Sequence, residues 1–138
     1  MSKTGSLSTF QIGSPARPGE GLRIAVTRRP PRGVPKADWK RIGCFDVWMP
    51  AVAPSLELLA RFHPQGIKED VLWQKFLDAY EKELEGNAEK RQTVELIAQV
   101  AARIPVSIGC FCEDETHCHR SRLREVLLKA AALSQDPE

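Results

Sequence analysis

Hydrophobic and polar residues alternate through "LRIAVT", residues 22–27, between Gly21 and the Pro30-Pro31 pair. A period of two bounded by turn formers predicts a β-strand. The following "RRPPRGVPKADW" is too rich in proline for regular structure and reads as a loop. Residues 44–49, "CFDVWM", are β-prone and stop at Pro50, which predicts a second strand. Residues 106–111, "VSIGCF", form a short apolar run with turn signals on each side, as a buried strand would.

Between and after these strands the period changes to that of a helix. Ser55 is a good N-cap for a short helix running to about His63. In "EDVLWQKFLDAYEKELEG", Trp73, Phe76, Leu77, Tyr80 and Leu84 recur at helical spacing, with Asp70 to start the helix and Gly86 to stop it. Val94, Leu96, Ile97, Val100 and Ala101 give the apolar stripe of a helix over about 88–103, ended by Pro105. Leu123, Val126, Leu127, Ala130 and Leu133 mark a last helix from about Cys118 to Leu133. Trp73, Phe76 and Tyr80 read as core rather than as a stacking platform.

Strands that alternate with helices predict an α/β fold, a small and largely parallel sheet flanked by helices in one compact domain. Its expected extent is 22–134, with residues 1–21 as a flexible Ser/Gly/Pro-rich leader and 135–138 as a C-terminal tail. In open parallel sheets, ligands bind beyond the carboxyl ends of the strands. The segments leaving those ends are "RRPPRG", "PAVAPS" and "CEDETHCHR", so all three are expected on one rim.

The composition changes this picture little. The 138 residues are 42% hydrophobic and 28% charged, as expected of a single soluble domain able to bury a core. No apolar run approaches the roughly 20 residues of a membrane span. The first residues lack the apolar centre of a signal peptide, so the expected address is the cytoplasm, where thiols stay reduced. Charge is uneven although the net value is only +2. Lys3, Arg17, Arg23, Arg28, Arg29 and Arg32 face only Glu20 in residues 1–33, which suits an anionic ligand or a solvated arm.

The chemistry concentrates in "GCFCEDETHCHRSRL", residues 109–123, which holds three of the four cysteines and two of the three histidines. Cys110, Cys112 and Cys118 with His117 or His119 supply enough ligands for a tetrahedral zinc ion, although C-x-C-x5-C-H is not a common zinc spacing. Cys44 is a further thiol that nothing requires at such a site. Alternatively, the start of the last helix attracts an anion, lowers the pKa of Cys118, and sets His119 as acid or base beside Arg120. A tyrosine-phosphatase loop is excluded, because the arginine six positions after Cys112 is replaced by Cys118. Glu113, Asp114 and Glu115 read as a solvated turn, Arg122 and Arg124 as surface residues, and His63 as a helix-end cation with no catalytic part.

Taken together, "RRPPRG", "DVWMPAVAPSLELLARFH" and the strand leading into "CFCEDETHCHRSRL" resemble the DUF488 family, in its short, stand-alone branch. The resemblance runs from about Arg23 to Leu133. It implies a compact α/β domain with a pocket around the Cys-His-Arg helix start and the arginine-rich loop. That branch is not uniformly cysteine at the cysteine positions here, so His119 and the loop arginines are the residues it supports best.

The resulting expectation is an enzyme for a phosphorylated or nucleotide-like substrate. Cys118 and His119 carry the chemistry; Arg28, Arg32 and Arg120 hold the anion. The alternatives are a non-catalytic module for nucleic acid or an acidic protein, and a structural zinc site. The sequence names no cofactor, reaction type or oligomeric state.

Overall fold

The computed structural model describes residues 5–41, 45–112 and 117–135. Four strands, β1 (Ser6–Gln11), β2 (Leu22–Ala25), β3 (Val47–Trp48) and β4 (Pro105–Cys110), form one sheet in the order β1-β4-β2-β3. Every neighbouring pair is parallel. The helices are α1 (Leu56–Phe62), α2 (Asp70–Gly86), α3 (Ala88–Ala101) and α4 (His119–Gln135). The α/β fold with a parallel sheet is therefore present, and the second strand is shorter than "CFDVWM" suggests. Cys44 and residues 113–116 lie outside the described residues.

Residues 6–11 correct one expectation, for they fall within the supposed flexible leader. They form edge strand β1, with Ser8 opposite Ser107 and Phe10 opposite Gly109. The strand shows weakly in sequence because its apolar side chains go to both faces. Leu7 enters the helix-side core, whereas Phe10 and Ile12 join a smaller cluster on the other side. Its polar Ser8 is matched across the sheet by the Ser107 hydroxyl at 3.2 Å.

All four helices contribute to one core against Leu7, Ile24, Val26, Val106 and Ile108. The expected N-cap of α1 is in place, with Leu58 N–H donating to Ser55 Oγ at 3.0 Å. Asn87 separates α2 from α3 and accepts from Lys90 N–H at 2.9 Å, so one residue ends the first helix and caps the second. Trp73, Phe76 and Tyr80 are buried in this core as their spacing implies.

The opposite face carries Arg23, Ala25, Ser107 and Gly109, by the alternation of strand side chains. Connecting chain rather than helix covers it, including Glu20, Trp39 and Phe45. Arg23 donates from Nε to Glu20 at 2.7 Å and lies 4.1 Å over the Phe10 ring. This charge is buried but matched, which makes a polar strand position compatible with the interior. Among the described residues no helix is long and apolar enough to cross a membrane.

Candidate functional site

Parallel strands place the ends of β2 and β4 on the same edge of the sheet, and a cleft of about 460 Å³ opens there. One lip is Thr27, Arg28 and Arg29, the chain leaving β2. The segment from Pro54 to Gly66 supplies another side, and Trp73 and Phe76 of α2 form the aromatic wall. Cys110, Phe111 and Cys112 follow β4, and His117, Cys118 and His119 lead into α4. The expected convergence of loops on one rim is thus a property of the fold.

The sheet fixes the orientation of His119. Its Nε2–H donates to the carbonyl of Val26, one residue beyond β2, at 2.7 Å. A carbonyl can only accept, so Nε2 carries the proton and Nδ1 keeps its lone pair. The Tyr80 ring meets the imidazole edge-on at 5.4 Å, while the Tyr80 hydroxyl donates to the Val52 carbonyl. Burial lowers the pKa of His119 and favours the neutral ring, against the Val26 hydrogen bond. His119 Nδ1 lies 3.9 Å from Cys118 Sγ.

Three thiols meet at the floor. Cys110 ends β4 and Cys112 follows two residues later on the same side, with their sulfurs 3.8 Å apart. Cys118 enters from the start of α4, and the three sulfurs lie within 4.8 Å of one another. Hydrogen bonds from Cys112 and then Cys118 hold the Cys110 thiol well below its ordinary pKa, helped by the charge of Arg120. Those two thiols are pushed up, because each donates to a neighbouring sulfur, is buried and would ionise beside the charge on Cys110.

Arg120 sits behind the thiols, only 3% exposed. It donates from Nη1 to the Cys112 carbonyl at 2.9 Å and to Cys118 Sγ at 3.4 Å. Its Nε is buried without a hydrogen-bond partner among the described residues. It is not among the cleft-lining residues. Arg120 thus acts on the sulfur cluster from below and does not project into the cleft.

The other expected anion holders divide. Arg28 lines the cleft, but Nε donates to Pro54 O at 3.1 Å and Nη2 to Pro50 O and Ala53 O at 2.9 and 3.3 Å. It ties the segment after β3 to the segment after β2. Arg32 is exposed and not among the cleft-lining residues. Arg29, not singled out in sequence, occupies the lip with no hydrogen bond or ion pair for its guanidinium among the described residues. Of the remaining basic residues near the N-terminus, Arg17 and Arg23 are both paired with Glu20.

The histidines add to the cleft. His63 ends α1 as expected, as its C-cap with a left-handed backbone, φ 49°, and also lines the cleft. His117 stacks on Trp73 with centroids 4.1 Å apart and planes 13° from parallel. Its Nε2–H donates to Ile67 O at 3.1 Å, which extends the aromatic wall toward the rim. Trp73 and Phe76 combine the two roles, buried in the core and facing the cleft. An arginine adjacent to prolines and a histidine beside a cysteine were the available signals; neither tells which way a side chain turns.

Comparison with known proteins adds a family and a relative. Residues 7–131 match the family model described as "Active DUF488-N3 subclade". Over 109 residues the chain is 30% identical to a protein of Escherichia coli (strain K12) called "Uncharacterized protein YeaO", an alignment covering 79% of this chain and 85% of that one. No solved structure matches.

Proposed function

We propose a function from one premise: this chain belongs to the DUF488-N3a family, the subclade described as active. The cleft takes a small anionic substrate that carries a planar ring, of the phosphorylated or nucleotide-like class, and the chain acts on it as an enzyme. The observation that carries this reading is the shared cleft, with Arg28 and Arg29 on its lip and Cys118 and His119 on its floor.

Each part has a physical reason. Arg29 is exposed and its guanidinium has no partner among the described residues, so its planar fork is available to a phosphate or carboxylate. Trp73, Phe76 and the half-exposed Phe111 offer apolar and aromatic surface on which a ring is desolvated. His119 presents an unprotonated Nδ1 beside Cys118, the arrangement a general base needs. Arg120 contributes through the sulfurs it touches, and Arg28 chiefly through the loop it holds. The family's description as active accords with a catalytic reading.

The test is calorimetric titration of the whole protein with a nucleoside monophosphate and, separately, inorganic phosphate. The nucleotide should bind more tightly than phosphate, since only it fills the aromatic wall. Arg29→Ala should weaken nucleotide binding by about tenfold or more, the effect of losing a hydrogen bond to a charged group. Equal binding by wild type and variant, or no nucleotide binding at all, overturns the reading.

A further inference from the structure

The sulfur cluster has dimensions that fit a single metal ion. Zinc–sulfur bonds of about 2.3 Å set neighbouring thiolates of a tetrahedral site about 3.8 Å apart. Cys110 and Cys112 stand at 3.8 Å, and Cys118 completes a group within 4.8 Å. The three sulfurs already stand close to the spacing that one ion requires. The alternation of β4 and the start of α4 have already placed them.

Arg120 is the second, independent observation. A guanidinium this buried needs a negative partner, yet among the described residues it forms no ion pair with a carboxylate. It touches Cys118 Sγ and the carbonyl of Cys112 instead. Three thiolates around a divalent cation carry one net negative charge, which a single guanidinium cancels. An N–H donor to a ligating sulfur and a second to a ligand's own carbonyl are the outer-shell contacts that hold such ligands in place.

We propose that Cys110, Cys112 and Cys118 bind one divalent, thiophilic cation of the zinc class through three thiolates, with its fourth position open to the cleft. The proposal rests on the reading of the cleft as a reactive centre and changes the part of Cys118, which becomes a ligand. Among the described residues no fourth ligand atom joins the three sulfurs, His119 Nδ1 included, which leaves that position to water or substrate. The Nδ1 of His119 lies 3.9 Å from Cys118 Sγ, at the edge of the cluster. Three protein ligands and one open position characterise catalytic rather than structural zinc.

Elemental analysis of the whole protein, purified under reducing conditions and incubated with zinc, tests the proposal. About one zinc per chain is expected, and a cobalt(II)-substituted protein should show thiolate-to-metal charge-transfer absorption. Cys112→Ser should lower metal affinity by at least about 100-fold, and Arg120→Lys by about 10–100-fold. If either variant fails to fold, alkylation of the wild-type protein serves instead, since zinc should protect Cys110, Cys112 and Cys118 as located by peptide mass. Added imidazole should alter the cobalt spectrum by entering the fourth position. Substoichiometric zinc, or alkylation unaffected by zinc, overturns the metal site; a cobalt spectrum indifferent to imidazole overturns the open position. Nucleotide binding that depends on Arg29 in a zinc-free protein would leave the cleft reading standing while this one fails. Tight zinc binding without nucleotide binding would do the reverse.

Discussion

Phe10 lies across Gly109 so closely that a Cβ on the glycine would come 2.3 Å from Phe10 Cζ. The pair joins β1 to β4 on the face away from the helices, and β4 then runs directly into Cys110. Gly109→Ala must push the buried Phe10 ring aside or open the strand pair. A loss of about 1–3 kcal/mol is expected, the range for overpacking a filled interior. Urea denaturation of the two proteins measures it, and Phe10→Leu combined with Gly109→Ala should recover part of the loss.

Glu20 gives the fold an acid limit. Burial resists its ionisation most strongly, but hydrogen bonds from Arg23 and Arg17 outweigh that and hold its pKa below the ordinary carboxylate value. A folded pKa below the unfolded one means that stability is fully present above the unfolded value, about 4.5, and is lost as pH falls through the folded value. Glu20→Gln should remove this dependence and cost about 3–5 kcal/mol at neutral pH by breaking the buried Glu20–Arg23 ion pair. Thermal unfolding followed from pH 7 down to pH 3 (roughly the carboxylate range) compares the two slopes.

Tyr80 connects the core to the site. Its hydroxyl satisfies the buried Val52 carbonyl and its ring holds the edge of His119. Tyr80→Phe keeps the ring and removes the hydroxyl, so it should lower stability by about 1–3 kcal/mol while His119 keeps its position. Tyr80→Leu should also loosen the imidazole. The NMR signals of the His119 ring, which report its tautomer, should be unchanged in the first variant and broadened or shifted in the second.

Arg28 and Arg32 should behave differently although both belong to "RRPPRG". Arg28→Met leaves the carbonyls of Pro50, Ala53 and Pro54 without their donor. It should destabilise the protein by about 1–3 kcal/mol and weaken nucleotide binding through a displaced cleft wall. Arg32→Ala is expected to change stability by less than about 0.5 kcal/mol, as for an exposed residue with no partner among the described residues. Its nucleotide titration should overlay that of the wild type, whereas a tenfold loss would place Arg32 in the site.

Local chemistry accounts for what could be read without coordinates. Helical spacing in Trp73–Leu84 and Leu123–Leu127, the Ser55 cap and the proline stops each depend on residues a few positions apart. They locate α1, α2 and α4 to within a few residues. The short apolar run after Pro105 likewise gives β4, and strands separated by helices give the parallel sheet. Strand β1 was hidden because its serine and apolar residues find their partners across the sheet, about 100 residues away.

The sequence by itself determined that sulfur, imidazole and guanidinium groups crowd the chain between β4 and α4, and that parallel strands would gather three loops at one rim. Only the tertiary structure decided which of those groups face the cleft. Arg28 and Arg120 turned to carbonyls and sulfur, Arg29 at the lip has no guanidinium partner among the described residues, and Val26 fixed the protonated nitrogen of His119. Residue type sets what a side chain can donate or accept. Which partner it meets depends on long-range packing, and a buried donor takes the acceptor that the fold places within its reach.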